Sequence, residues 1–172
     1  MTNREISIRA GGPGDIPAIL GMFDSAMEWL VAQGRTGQWG SRPWSDNPKT
    51  VELVTGYVSR GAAFVAELDG VPAGTLSLTD GPGTYLPPVD EPERYVHLLA
   101  SDRRFKGRGV GAALLAHAVE ETRRAGVSLL RVDCYAGDDG KLVRYYEGNG
   151  FTRTDAFTGT DDWPGQILAR RV

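Results

Sequence analysis

Residues 103–111 read Arg103-Arg104-Phe105-Lys106-Gly107-Arg108-Gly109-Val110-Gly111 and join an apolar strand to an apolar helix. Alternate glycines let backbone N–H groups approach a ligand closely, because glycine has no side chain and tolerates positive φ. The first N–H groups of a helix are unpaired and lie at the positive end of its dipole, which suits a pyrophosphate. Four cations surround the turn in a chain whose net charge is -3. The turn therefore predicts a local site for an anionic ligand.

The segments on either side of the turn predict an α/β fold, a mixed central sheet with helices on both faces. Asp69-Gly70 predicts a two-residue hairpin turn between two strands. Asp15, with Pro17 in the first turn, predicts the start of the first helix, and Asn47-Pro48 that of the second. The predicted strands are residues 6–10, 63–68, 72–78, 94–101, 127–134, 151–157 and 166–172, and a short helix covers 139–148.

Composition limits the classes of function. A length of 172 residues predicts one domain, residues 1–172. The acidic balance disfavours nucleic acid as a partner, and the single Cys134 excludes a cysteine-rich metal site. The first ten residues have no apolar signal region, and no apolar run reaches the roughly 20 residues that span a bilayer. We therefore expect a cytoplasmic protein without a membrane partner and without a metal.

Two other phosphate-binding motifs compete for the glycine turn. Residues 107–112 fit G-x-G-x-x-A, with Asp133 at a plausible distance for a Rossmann dinucleotide site. A polar stretch separates the strand from the glycines, however, and too few residues follow Asp133 for a doubly wound sheet. A Walker A loop is excluded because no Lys-Ser/Thr pair follows the last glycine.

The turn resembles the pyrophosphate signature of the GCN5-related N-acetyltransferases, Gln/Arg-x-x-Gly-x-Gly/Ala, with Lys106 at its first position. A second family segment, Tyr-Glu-x-x-Gly-Phe, is similar to Tyr146-Glu147-Gly148-Asn149-Gly150-Phe151. The order of elements is also similar across essentially the whole chain. The resemblance implies acetyl-CoA as the cofactor. It implies that acetyl-CoA is bound by Leu99, Ala100, Ser101, Lys106, Gly107, Arg108, Gly109, Val110, Gly111, Ala112 and Asp139, although the family often has Asn in place of Asp139.

The same resemblance implies direct attack of an amine on the thioester. It implies that Tyr146 is the acid that protonates the departing thiolate. The alternative is that Tyr146 is only an aromatic residue of the core. Many relatives carry a glutamate base on the fourth strand, where this chain has His97. Strict alternation would place His97, Leu99 and Ser101 on one face of that strand. The alternatives are that His97 is a half-buried packing residue, or that water is the base. Cys134 is expected to be a buried hydrophobe rather than a nucleophile.

The acceptor is the least defined part of the hypothesis. By resemblance, Trp29 and Trp39 belong to the acceptor pocket, unless they only cap the core. Asp90, Glu91 and Glu93 end an acidic loop that would favour a cationic acceptor. We expect transfer to the primary amine of a small molecule or peptide, with a homodimer possible. Two alternatives remain open, a non-catalytic acyl-CoA-binding sensor and a toxin-type aminoacyl-tRNA acetyltransferase.

Overall fold

The computed structural model describes residues 5–172. Residues 1–4, which belong to the predicted single domain and to the N-terminal stretch without an apolar region, lie outside this range. The strands are β1 (Ile6–Ala10), β2 (Ala63–Leu68), β3 (Val71–Thr79), β4 (Arg94–Ser101), β5 (Leu129–Tyr135), β6 (Thr152–Thr158) and β7 (Pro164–Arg171). The helices are α1 (Ile16–Ala32), α2 (Pro48–Ser59), α3 (Val110–Arg124) and α4 (Lys141–Gly148).

The seven strands form one sheet in the order β1-β2-β3-β4-β5-β7-β6. The pair β4–β5 is parallel, whereas β1–β2, β2–β3, β5–β7 and β6–β7 are antiparallel. The predicted mixed α/β class is therefore confirmed. Predicted β5 and β7 are displaced by one or two residues from their observed limits. Within residues 5–172, no helix is long and apolar enough to cross a membrane.

The described residues divide into two compact units. The first contains the chain up to Ser77 together with Leu98–His117. Its core joins α1, α2, β2 and β4, with Phe23 fully buried and stacked on Trp44 at 4.0 Å between ring centroids. Asp69 and Gly70 both have positive φ, which confirms the predicted hairpin turn of the primed type. Asn47 caps α2, since its side chain accepts from the Lys49 N–H.

Helix α1 begins directly after Asp15, as predicted, but the Asp15 side chain makes no capping hydrogen bond to it. Its carboxylate instead accepts a hydrogen bond from the Gly12 N–H at 2.8 Å and forms an ion pair with Arg9 at 2.7 Å. Hydrogen bonds from Arg9 lower the pKa of Asp15 to about 2 despite partial burial. Asp15 therefore ties the segment before α1 to Arg9 of β1, and it makes no bond to the N–H groups in the first turn of α1.

The second unit contains Leu78–His97 and Ala118–Val172. Tyr95 of β4 is fully buried and packs with Leu86 and Ile167. The acidic loop before β4 belongs to this unit and is held by arginines. Glu93 is buried and makes a two-point ion pair with Arg131 of β5, each contact 2.8 Å long. Glu91 makes a similar pair with Arg171 at 2.7 Å.

These ion pairs contradict the prediction that the acidic loop favours a cationic acceptor through Glu91 and Glu93. Both carboxylates already face a guanidinium, so their negative charge is neutralised within the protein. Of the three acidic side chains, only Asp90 is exposed without such a pair among the described residues. The loop is better described as a segment anchored to β5 and β7 than as a charged surface.

Candidate active site

The glycine turn has the backbone geometry that the sequence predicts. A short 3₁₀ helix covers Arg103–Phe105 and α3 begins at Val110. Gly107 and Gly109 have φ of 79° and 76°, a left-handed conformation that disfavours other residues. A Cβ atom on either glycine would meet no atom within 4 Å. The glycines are therefore required by the backbone, and the space beside them is open to a ligand.

Gly74 of β3 seats the first turn of α3 within the first unit. A Cβ atom at this position would lie 2.5 Å from Val110 Cγ1, 3.0 Å from Leu114 Cδ1 and 3.1 Å from the Ala100 carbonyl oxygen. A Cβ contact of 2.5 Å does not occur in proteins, so any residue larger than glycine would require Val110 or α3 to move. Gly74 thereby determines where the N–H groups of the turn lie.

Two of the four cations at the turn, Arg103 and Lys106, lie against the Trp29 ring, a contact that the sequence did not reveal. The Arg103 guanidinium lies 3.7 Å from the Trp29 ring centroid, and Lys106 Nζ lies 5.8 Å from it. The Arg103 N–H also donates to Ser25 Oγ at 3.2 Å. Helix α1 therefore supports the turn, and the structure places Trp29 beside the predicted anion site. No sequence signal connects Trp29 with Arg103, because they are far apart in the chain.

Asp102 holds the beginning of the turn. Its Oδ1 accepts from the Arg104 backbone N–H at 2.9 Å, and its Oδ2 accepts from Arg104 Nη2 at 3.0 Å. Burial opposes ionisation of this carboxyl, but the hydrogen bonds from Arg104 outweigh burial and lower its pKa. An aspartate directly before a short helix is a capping signal that could have identified Asp102. Arg108 is exposed.

This arrangement fits a pyrophosphate. The N–H groups at the start of α3 are open to a ligand beside two exposed glycines, and Lys106 and Arg108 supply positive charge at the surface. Gly111 and Ala112 lie in the first turn of α3. Trp39, the other predicted pocket residue, is half-buried and packs edge-on against Phe23 at 5.3 Å between centroids.

Leu98 interrupts β4 immediately before Leu99, Ala100 and Ser101. Its φ is 49°, a left-handed conformation that is rare and costly for a leucine. Strict alternation requires extended backbone throughout, so it does not predict a common face for His97, Leu99 and Ser101 in this strand. Such strain costs about 1–3 kcal/mol and is concentrated at functional sites. The Leu98 side chain packs against the core of the first unit, to which the buried Ala100 belongs.

His97 belongs to the second unit and is half-buried. Its Nε2 lies 2.9 Å from Thr79 Oγ1 and 3.2 Å from the Gly81 carbonyl oxygen. The Tyr95 ring lies 5.0 Å away between centroids. His97 therefore has a defined polar environment, which distinguishes it from a residue held only by packing.

Tyr146 of α4 is buried within the second unit and lies edge-on to Phe151 at 5.9 Å between centroids. Burial raises its pKa well above the usual value, and nearby Cys134 adds to this shift. The phenol therefore keeps its proton at neutral pH. Gly150, with φ of 91°, ends α4, and the Phe151 N–H donates to the Tyr146 carbonyl oxygen at 3.2 Å. The Tyr-Glu-x-x-Gly-Phe segment is thus a helix end that fixes Tyr146.

Asp139 and Cys134 complete the predicted residues. Asp139 is exposed and has φ of 64°, between two further left-handed residues, Asp138 and Gly140. Its carbonyl oxygen accepts from Arg144. Cys134 is buried, as expected, and burial raises its pKa to about 12. A thiol with this pKa is protonated at neutral pH and is a poor nucleophile.

Comparison with known proteins identifies the family. Residues 24–151 match the model of the acetyltransferase (GNAT) family, which covers most of the chain. This chain belongs to the GNAT family. The uncharacterized N-acetyltransferase YesJ of Bacillus subtilis is 29% identical over 154 residues, which is 86% of this chain and 79% of that protein.

Two solved structures share the GNAT fold with this chain. A GNAT-family acetyltransferase from Listeria monocytogenes has a TM-score of 0.74 at 20% identity, covering 99% of this chain and 97% of that one. The putative acetyltransferase YncA of Salmonella typhimurium, solved with acetyl-CoA, has a TM-score of 0.66 at 19% identity, covering 96% and 93%. The protein is an N-acetyltransferase that uses acetyl-CoA, as predicted. Among residues 5–172, no group of three or more potential ligands could hold a metal ion.

Proposed function

We propose that this GNAT enzyme acetylates the primary amine of a small molecule or peptide by direct attack within a ternary complex. The observation that carries the proposal is the open glycine turn at the start of α3, whose geometry fits the pyrophosphate of acetyl-CoA. Bound acetyl-CoA supplies an activated acetyl thioester. In this proposal the backbone of Lys106–Ala112 holds the diphosphate, Leu99–Ser101 and Asp139 contact the rest of the cofactor, and a backbone N–H near Leu99 or Ser101 stabilises the oxyanion.

Tyr146 is the acid in this proposal and protonates the departing sulfur. The phenol is protonated over the whole neutral range, as a proton donor must be, and its burial places it in a fixed environment on α4. Phe151 and the end of α4 hold the ring in place. A phenol that is weakly acidic in the free enzyme transfers its proton as the carbon–sulfur bond breaks.

His97 is the base in this proposal. An alkyl ammonium with a pKa near 10 is only about 0.1% neutral at pH 7, so a group that accepts a proton assists the attack. Imidazole is the side chain whose ordinary pKa suits that task. The hydrogen bonds to Thr79 and Gly81 support a role in which the ring must keep one orientation.

The two tryptophans receive different roles. Trp39 remains our candidate for the acceptor pocket, since its half-buried ring extends the aromatic cluster of Phe23 and Trp44. Trp29 contacts Arg103 and Lys106, and these contacts support a role at the cofactor turn instead. A Trp39→Leu variant should therefore raise KM for the acceptor, whereas Trp29 variants should act on acetyl-CoA.

The test measures thiol release from acetyl-CoA with a panel of amines and peptides. Tyr146→Phe and His97→Ala should each lower kcat by about 10- to 1,000-fold, whereas Tyr145→Phe, which alters the neighbouring and more exposed phenol, should not. Gly109→Ala should raise KM for acetyl-CoA, because its φ of 76° disfavours alanine. Gly21→Ala, in the middle of α1, is the matched control.

Each other outcome contradicts part of the proposal. Acetyl-CoA binding by calorimetry without transfer to any amine would favour the sensor alternative. Transfer only to aminoacyl-tRNA would favour the toxin-type alternative. Unchanged kcat in Tyr146→Phe would remove the acid role from that residue.

A further inference from the structure

The contacts of His97 indicate which ring nitrogen carries the proton. Nε2 lies 3.2 Å from the Gly81 carbonyl oxygen, which can only accept a hydrogen bond. The Thr79 hydroxyl donates its single proton to the same carbonyl at 2.8 Å, so its oxygen is left to accept from His97 at 2.9 Å. A single Nε2–H, shared between the two oxygens, accounts for both contacts. In the neutral ring the lone pair therefore lies on Nδ1.

We propose that Thr79 is a positioning residue for the proposed base. Together with the Gly81 carbonyl, it fixes His97 as the Nε2–H tautomer, in which Nδ1 is the basic nitrogen of the ring. The proton passes from the amine nitrogen to Nδ1, and the imidazolium keeps its Nε2–H bonded to the two oxygens. The inference rests on the proposed function, because it assigns His97 the role of the base.

The positions of these residues in the fold support a fixed rather than an adaptable arrangement. Thr79 is the last residue of β3 and Gly81 lies two residues later, so one short segment supplies both acceptors. Arg94, at the start of β4, pairs with Asp80 at 2.8 Å and ties this segment to the strand that carries His97. The Tyr95 ring packs on the imidazole at 5.0 Å and limits its rotation.

The first experiment reads the tautomer directly by NMR of ¹⁵N-labelled histidine in the full-length enzyme without substrates. We expect His97 to show a protonated Nε2 and an unprotonated Nδ1 at a pH where the ring is neutral. Thr79→Val should give a mixture of tautomers, and Thr79→Ser should restore the wild-type pattern. Predominance of the Nδ1–H form in the wild type, or an unchanged pattern in Thr79→Val, would overturn the inference.

The second experiment measures acetyl transfer. Thr79→Val should lower kcat by about 10-fold, the order expected for one lost hydrogen bond, without changing KM for acetyl-CoA. Thr79→Ser should recover the loss. Thr75→Val is the matched control, because Thr75 lies on the same strand and donates to the Phe64 carbonyl oxygen at 2.9 Å.

Different results would overturn the positioning role of Thr79 and the base role of His97. A loss of kcat in His97→Ala but not in Thr79→Val would overturn the positioning role and leave the base intact. A changed tautomer in Thr79→Val with undiminished kcat in both variants would overturn the base role of His97, and with it the catalytic part of this inference.

Discussion

Cys134 shows how burial decides the chemistry of a single side chain. Its thiol is buried on β5, and burial together with the charge of Asp133 raises its pKa from 9.0 to about 12. At pH 8 the thiolate fraction is then about 1,000-fold below that of a thiol with the ordinary value. We expect iodoacetamide to alkylate the folded enzyme very slowly and the urea-unfolded chain rapidly. Cys134→Ala should retain kcat, and a large loss would indicate an acetyl-cysteine intermediate.

Trp29 provides a second test at the scale of one residue. Its ring lies under the Arg103 guanidinium, and such contacts contribute about 0.5–2 kcal/mol. Trp29→Leu should therefore raise KM for acetyl-CoA by about 3- to 30-fold with little change in kcat, and Trp29→Phe should raise it less. Tyr57→Leu removes a comparable contact with Arg60 away from the turn. An increase in KM for the acceptor, instead of acetyl-CoA, would return Trp29 to the acceptor pocket.

A side chain added at Gly74 of β3 tests the close contact between β3 and α3. Gly74→Ala would force its new methyl group against Val110 Cγ1, and overpacking of this kind costs about 1–3 kcal/mol. The start of α3 should move, which raises KM for acetyl-CoA and lowers the free energy of unfolding. Adding Val110→Ala removes the nearest atom and should restore part of both quantities. If the double variant binds acetyl-CoA no better than Gly74→Ala alone, the steric explanation is wrong.

The elements that the sequence predicted correctly are those with local signals. The Asp69-Gly70 turn, the Asn47 cap and the glycines at positions 107 and 109 depend on backbone conformations that neighbouring residues alone determine. Leu98 has no such signal, because leucine is an ordinary strand residue and its neighbours in sequence do not predict a positive φ. The pairing of Glu93 with Arg131 could not be predicted either, since it joins residues 38 apart in sequence. The prediction that Glu91 and Glu93 favour a cationic acceptor is wrong for that reason.

The Glu93–Arg131 pair connects the loop before β4 to β5, and its removal tests that connection. Both side chains are buried, so Arg131→Met leaves an unpaired carboxylate in the protein interior. Loss of one partner of a buried pair costs about 3–5 kcal/mol. The free energy of unfolding in urea should fall by that order. Glu93→Leu combined with Arg131→Met should be considerably more stable than Arg131→Met alone, and equal stabilities would contradict the assignment of the cost to an unpaired charge.

For the molecule as a whole, four groups of the second unit hold their protons more tightly when the chain is folded. Burial raises the pKa of Tyr95, Tyr145 and Tyr146 above the usual value of 10.0, and that of Cys134 to about 12. Above about pH 9 the unfolded chain loses these protons first, so it binds fewer protons than the folded chain. The free energy of unfolding must then fall with rising pH, by up to about 1.4 kcal/mol per pH unit for each group.

Urea unfolding at several pH values between 8 and 11 measures this decline. Below pH 8 all four groups are protonated in both states and contribute no slope. Cys134→Ala removes the group whose ordinary pKa is the lowest, so the decline should start nearer pH 10 in this variant. Tyr146→Phe should reduce the slope above pH 10 without moving its onset, because the tyrosine begins to titrate later than the thiol in the unfolded chain. A wild-type stability that is constant up to pH 11 would show that these groups do not stay protonated in the folded enzyme.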